Sequence, residues 1–214
     1  VTTAEQLRIL GERGFNRLSL GIQDFDPVVQ KAIKRVQSVE DTVAVVDAGR
    51  AAGFQSVNVD LMYGLPHQSL SGFLSTVETV LERINPERVA LFHYAHVPWL
   101  KKHHRAMKME AAPGIADKME LFIRTVEAFT AAGYEYLGLD HFARPDDELA
   151  RARKDRSLQR NFMGYSTRAG HDLVGLGVSA IGDVSGCHVQ NARDVAGWME
   201  ALEERGLGVV RGHR

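Results

Sequence analysis

Apolar runs with strand-like alternation recur along the chain, each followed by a stretch of helical periodicity, and this order is what most narrows the fold. The clearest run is Val57-Asn58-Val59-Asp60-Leu61-Met62-Tyr63-Gly64-Leu65-Pro66, in which apolar residues surround Asn58 and Asp60 and a Tyr-Gly-Leu-Pro turn ends the segment. It reads as a strand of a parallel sheet, buried on both faces under covering helices. Further strands are expected over 15–22, 88–96 and 134–140, the first with Arg17 and Ser19 on one face and Leu18 and Leu20 on the other. Helices are expected over 3–13, 28–35, 39–52, 71–84 and 114–132. Thr2 or Thr3 caps the first, Asp26 and Pro27 start the second, and Gly14, Gly53 and Gly133 act as stops.

The pattern changes after Asp140. Residues 141–156 are polar and loop-like, 173–186 are rich in glycine, and an amphipathic helix over 192–205 precedes a short apolar end. Strand and helix in alternation give parallel βα units of the α/β class. Four such units are too few for an eight-strand barrel, and the pattern opens in mid-cycle with a helix. The expectation is one domain over 1–214, a partial parallel (β/α) barrel incomplete at its N-terminal side, with an extension after it.

Bulk properties exclude several classes. Of 214 residues 44% are apolar and 25% charged, and the formal charge is −1 with both signs dispersed, so the chain advertises neither nucleic-acid nor membrane binding. No apolar run approaches the roughly 20 residues that span a bilayer. The lone Cys187 forbids an internal disulfide and points to the cytoplasm. One thiol also cannot hold an iron–sulfur cluster, which needs about four ligands.

Asp60 is the residue that most needs explaining, because an isolated buried carboxylate costs several kcal/mol, on the order of its lost hydration, unless a cation, donors or a ligand meet it. Gln23 and Asp60 both lie at strand ends, where such folds keep their chemistry, and Arg35 ends the helix after Gln23. A carboxylate, an amide and a guanidinium on one rim suit a zwitterionic amino-acid ligand; the alternative is an internal Asp60–Arg35 ion pair. His141 and Arg144 should lie at the same rim, with Arg160, Arg168 and Lys101 or Lys102 as further cations suited to a polycarboxylate or simply to a surface. His93 and His96 stand three apart, so a straight strand points them to opposite faces and they cannot share a metal. Gly175-Leu176-Gly177-Val178-Ser179-Ala180 loosely matches a dinucleotide fingerprint, but Gly182 and Gly186 discourage the helix it requires, and close backbone approach explains these glycines better. His103 and His104 belong to a basic, solvated segment within 98–113.

Five segments resemble oxygen-independent coproporphyrinogen III oxidases of the radical S-adenosylmethionine superfamily. They are Gly14-Phe-Asn-Arg-Leu-Ser-Leu-Gly-Ile-Gln-Asp-Phe25, Asp60-Leu-Met-Tyr-Gly-Leu-Pro66, Phe92-His-Tyr-Ala-His-Val-Pro98, Asp140-His-Phe-Ala-Arg-Pro-Asp-Asp-Glu-Leu-Ala150 and Asn161-Phe-Met-Gly-Tyr-Ser-Thr167. The resemblance implies a partial (β/α)₆ barrel, a 4Fe–4S cluster and two S-adenosylmethionine molecules. It further implies a porphyrinogen substrate, an electron-donor protein, and oxidative decarboxylation of two propionates to vinyls through a 5′-deoxyadenosyl radical. By motif position it places Gln23, Arg35 and Asp60 at the second S-adenosylmethionine, Ala95 at the first, and His213 as a further contact. The family's Cys-x-x-x-Cys-x-x-Cys loop and C-terminal helical domain have no counterpart here. The cluster ligands are therefore expected outside this chain, and the chain alone is expected to be inactive. Competing readings are a haem-binding chaperone on the same barrel and an aldolase-like barrel. The latter would need a strand-end Schiff-base lysine, and none of the expected strands carries one.

Overall fold

The computed structural model describes residues 2–99, 104–105 and 107–214, which fall into two compact units, residues 1–158 and 159–214. The first unit opens with α1 (Ala4–Glu12), held by a Thr3–Gln6 capping box. β1 (Arg17–Gln23), α2 (Pro27–Ala32), α3 (Val39–Ala51) and β2 (Ser56–Tyr63) follow. Asp26 caps α2 by accepting from the Val28 amide at 2.7 Å, with Pro27 at the first helical position, as the sequence dictates. Next come α4 (Leu70–Thr79), which passes into a π-helical turn at Val80–Ile84, then β3 (Arg88–His93), α5 (Ile115–Ala131), β4 (Glu135–Gly138), β5 (His141–Ala143) and α6 (Glu148–Lys154). Gly53 and Gly133, at φ +90° and +89°, end α3 and α5 in a conformation only glycine adopts without strain.

The strands form one sheet in the order β1-β2-β3-β5-β4, with β1, β2 and β3 parallel. The partial barrel expected from the sequence is present, with one amendment. β5 runs antiparallel between β3 and β4, so the polar stretch after Asp140 is a returning strand and a short helix instead of a loop. Alternation then sorts the side chains. Val57, Val59, Leu61, Val89, Leu91, Ile22 and Phe142 face the helices and are buried with Val46, Phe73, Val77, Leu121 and Phe129. Each such side chain contributes about 1.5–3 kcal/mol of burial. The other face carries Ser19, Asn58, Asp60, Arg88 and His141. β2 is therefore not buried on both faces: Asn58, Asp60 and Met62, on its second face, stay half-exposed.

At the end of the sheet where the parallel strands begin, Arg88 joins β3 to the start of α6. Its guanidinium meets Asp147 at 2.9 Å and Glu148 at 3.0 Å, and Glu148 also takes Arg17. With Arg88 and Asp147 only 14% and 6% exposed, Arg88→Ala is expected to cost about 3 kcal/mol, because it leaves Asp147 buried without its cation. A urea melt of the variant checks this, and an unchanged midpoint would show the pair to be dispensable.

The second unit holds a hairpin of β6 (Gln159–Asn161) and β7 (Gly164–Ser166). Its antiparallel sheet, in the order β10-β9-β8, is built from β8 (Ile181–Val184), β9 (Cys187–Asn191) and β10 (Val209–His213), with α7 (Val195–Arg205) between the last two strands. No helix begins at the Gly-rich segment. A Cβ on Gly175 would sit 2.6 Å from the Ile181 carbonyl oxygen, and one on Gly182 would sit 2.7 Å from that of Leu173. These glycines serve close packing of backbone on backbone.

Candidate functional site

Strand pairing sets Gly21 beside Asp60, Asp60 beside Ala90, and Ala90 beside His141. Paired residues share a face, so these four form one row on the side of the sheet turned away from the helices. Strands lie about 4.8 Å apart, which puts the Asp60 and His141 backbones about 10 Å apart across the small Ala90.

Asp60 is half-buried and accepts from the Asn58 side-chain amide at 2.8 Å, while the same amide donates to the Ser19 hydroxyl at 2.9 Å. Burial pushes the Asp60 carboxyl above the usual carboxylate range. The Asn58 bond, His141 and Arg35 pull it partly back, and the charge of Asp140 pushes it up again. Arg35 does fold back to the rim, but its guanidinium donates to the Gly21 carbonyl at 2.8 Å and makes no ion pair with Asp60. The internal ion pair that the sequence allowed is thus not formed. A carboxylate has about four acceptor positions, so Asp60 retains capacity for a cationic ligand.

Gln23 closes β1 at φ +68°, a left-handed conformation uncommon outside glycine. It is 9% exposed, and its Oε1 is buried without a hydrogen-bond partner. Such an orphan costs about 1–3 kcal/mol, which a ligand donor would recover. Gly21 makes room for the group: a Cβ there would lie 2.5 Å from the Gln23 Nε2 and 3.0 Å from an Arg35 nitrogen. Amide, guanidinium and carboxylate are thus set around a residue without a side chain, an arrangement that fits the ammonium and carboxylate of an amino acid. Gly21→Ala is expected to displace both Gln23 and Arg35 and to weaken ligand binding about tenfold, with a stability loss of about 1 kcal/mol or less, since both neighbours are flexible side-chain ends. Parallel ligand titration and thermal melting separate the two effects.

Ala95 is exposed just beyond β3, where the Tyr94 amide donates to the Tyr63 carbonyl at 2.9 Å, so it lies past the strand ends, whereas Asp60 lies inside β2 beside Ala90. His213 lies in the second unit, on β10 opposite His188 of β9.

Beneath the rim sits a residue for which the sequence offered no role. Asp24 is fully buried and accepts from the Thr76 hydroxyl at 2.6 Å, the Gln68 side-chain amide at 2.7 Å and the Asp26 amide at 2.9 Å. Gln68 in turn accepts from the Gly64 and Leu65 amides and donates to the Met62 carbonyl. One carboxylate therefore ties the loop after β1 to the loop after β2 and to α4. Burial raises its pKa despite the three donors. Its only advance signal was a polar residue between Ile22 and Phe25.

Other candidates disperse. Arg144 is not at the rim. Because β5 runs back, Arg144 reaches the opposite end of β3, where it donates to the Pro86 carbonyl and the Asn85 side chain and stacks on Tyr134 at 5.4 Å. His141 stays at the rim, its Nδ1 2.5 Å from the Asp140 carboxylate. His93 packs against Tyr63, while His96 stacks with His104 beside Tyr94, and the described residues contain no group of three potential metal ligands. Arg160 and Arg168 belong to the second unit, and Lys101, Lys102 and His103 lie outside the described residues. Among the described residues no helix is long and apolar enough to cross a membrane.

A sequence profile of the Radical SAM superfamily matches residues 1–80. The oxygen-independent coproporphyrinogen III oxidase of Pseudomonas aeruginosa is 46% identical over 95% of this chain and 44% of its own length. The Helicobacter pylori enzyme of the same name is 43% identical over 98% of this chain and 46% of its own length. In three dimensions the chain superposes on coproporphyrinogen III oxidase from Escherichia coli, a radical SAM enzyme, with a TM-score of 0.87 and 40% identity, covering 99% of this chain and 49% of that one. The chain spans about half the length of the relatives it matches. By sequence and by fold the chain is similar over nearly all of its length to oxygen-independent coproporphyrinogen III oxidases, and over residues 1–80 to the Radical SAM superfamily.

Proposed function

We propose that this chain is the barrel-forming part, with a following extension, of a cytoplasmic oxygen-independent coproporphyrinogen III oxidase. Such an enzyme converts two propionates of a porphyrinogen to vinyls with release of carbon dioxide, drawing on an electron-donor protein. The observation that carries the reading is the rim group around Gly21: the orphaned Gln23 oxygen, the Arg35 guanidinium and the Asp60 carboxylate. In this reading Asp60 takes the α-ammonium of an S-adenosylmethionine, Arg35 its α-carboxylate, and Gln23 accepts a proton donor of the same ligand. Ala95 contacts the other of two such molecules, and His213 is assigned a further cofactor contact. S-adenosylmethionine with a 4Fe–4S cluster supplies one-electron chemistry when bound.

The cluster does not fit the residues of this chain, whose single thiol is Cys187. Its ligands are assigned to a separate part of a longer protein, and this chain is assigned cofactor binding and substrate placement. Two experiments test the reading. Iron and sulfide added anaerobically to the isolated chain should give no stable 4Fe–4S absorbance. The full-length protein, reconstituted and reduced, should release carbon dioxide from coproporphyrinogen III only when S-adenosylmethionine is present. Stoichiometric haem binding without turnover would replace the oxidase by a haem chaperone.

A further inference from the structure

The turn that closes β1 is bent more sharply than a strand end requires. The Asp24 amide donates to the Ile22 carbonyl at 2.9 Å, across the single residue Gln23, whose φ is +68°. A γ-turn with positive φ at its centre is rare and strained, and such strain persists only where the surroundings over-determine it. The strand pairing slips at the same place. Gly21 pairs with Asp60 but Gln23 with Leu61, a bulge of the kind that re-aims a side chain. Gln23 is thereby folded back beside Gly21, and its Oε1 is buried without a partner.

What over-determines the turn is Asp24, fully buried and with every polar atom engaged. Beside the amide already spent on Ile22, Oδ1 takes the Thr76 hydroxyl and the Asp26 amide, and Oδ2 takes the Gln68 side-chain amide. The Asp24 carbonyl accepts from the Gln30 side-chain amide at 2.9 Å. The Thr76 hydroxyl also accepts from the Phe25 amide at 3.1 Å, so α4 grips the chain at two successive residues. Gln30 carries the clamp further, because its own carbonyl accepts from the Arg35 amide at 2.9 Å. The amide and the guanidinium beside Gly21 therefore hang from one buried residue. Strain and an orphaned buried oxygen both cost folding, and both fall on Gln23. A fold that bears two such costs at one residue of a ligand site holds that residue ready for the ligand.

We propose that Asp24 is a positioning residue of the S-adenosylmethionine site: locked by Thr76 and Gln68, it holds Gln23 in the strained turn that aims its amide at the ligand. This deepens the function proposed above and rests on it. It gives a part in ligand binding to buried residues that do not touch the ligand.

The test is a double-mutant cycle in the full-length, cluster-loaded protein kept oxidised. Equilibrium dialysis reads the affinity of each bound S-adenosylmethionine, and urea melts read stability. Gln23→Ala should weaken one of the bound molecules about tenfold, and Thr76→Val, which replaces the hydroxyl by a methyl, should weaken the same one about fivefold. Because Thr76 acts through Asp24 on Gln23, Thr76→Val added to Gln23→Ala should weaken binding by no more than about twofold again. Asp24→Asn should follow the same pattern, and Thr76→Ser, which keeps the hydroxyl, should recover most of the loss. Val77→Ala opens a cavity under the same helix and should lower the urea midpoint with affinity unchanged. Equal losses from Thr76→Val in both backgrounds would overturn the proposal, as would a matching loss of affinity in Val77→Ala. Unchanged affinity in a folded Thr76→Val protein would overturn it too. Wild-type affinity in Gln23→Ala would defeat the cofactor site itself, and the positioning role with it.

Discussion

Asp60→Ala in the full-length protein is expected to lower affinity for S-adenosylmethionine about a hundredfold and to abolish turnover, with the absorbance of the iron–sulfur cluster unchanged. Removing the acceptor of a partly desolvated ammonium costs about 2–5 kcal/mol, much of it the penalty of a charge left without its partner. Arg35 is exposed and already engaged with the Gly21 carbonyl, so Arg35→Ala should cost less, about tenfold. The dependence on pH follows from the direction of the Asp60 shift. Burial raises its pKa, and only the ionised carboxylate accepts an ammonium, so ligand affinity should fall as pH is lowered through that raised value. The fall should begin at a higher pH than for an ordinary exposed aspartate. Equilibrium dialysis between pH 5 and 8 measures both effects. A variant that binds as tightly as wild type would dissolve the proposed site.

The second large effect concerns stability. Asp24→Ala removes the acceptor of three hydrogen bonds and strands the Thr76 hydroxyl and the Gln68 amide in a buried place, at a cost of about 3 kcal/mol. Asp24→Asn keeps the volume but turns an amide donor toward Gln68, whose oxygen is occupied by the Gly64 and Leu65 amides. The pH dependence has a definite sign. The folded-state pKa of Asp24 is raised, so its contribution is fully present below the unfolded value of about 3.9 and is lost as pH rises through the folded value. The advantage of wild type over Asp24→Asn should therefore shrink from acid toward neutral pH, as urea midpoints across that range would report. A gap that widened instead would mean that the three donors outweigh the cost of burial.

The three parallel strands were legible in the sequence because alternation survives wherever one face packs on helices: Val57, Val59 and Leu61 against Asn58, Asp60 and Met62. The nearness of Gln23, Arg35 and Asp60 followed from that pattern only in part: Gln23 closes β1 as expected, but Asp60 lies three residues inside the end of β2, beside Gly21. β5 was not legible. Its three residues, His141–Ala143, are too few to show a period, and their direction is decided by pairing with β3 more than 50 residues away. The misplacement of Arg144 followed from this, because a strand assumed to point outward in fact returns. The beginning of α6 was missed for a similar reason: Asp147 and Glu148 look like solvated charge until Arg88, 59 and 60 residues distant, is seen to neutralise them. Asp24 shows the limit most clearly. Nothing local distinguishes a buried aspartate from the exposed ones nearby, and its partners Gln68 and Thr76 are 44 and 52 residues away.

The two sides of the same strands answer to different demands. Residues such as Val59 and Leu61 bind the sheet to its helices and respond to volume, whereas Asn58, Asp60 and His141, half-exposed on the other face, respond to charge and shape. Changing every second position therefore rewrites what the sheet recognises while the frame that holds it stands. A library confined to positions 58, 60, 92 and 141 would explore new ligands on a scaffold whose buried core it leaves intact.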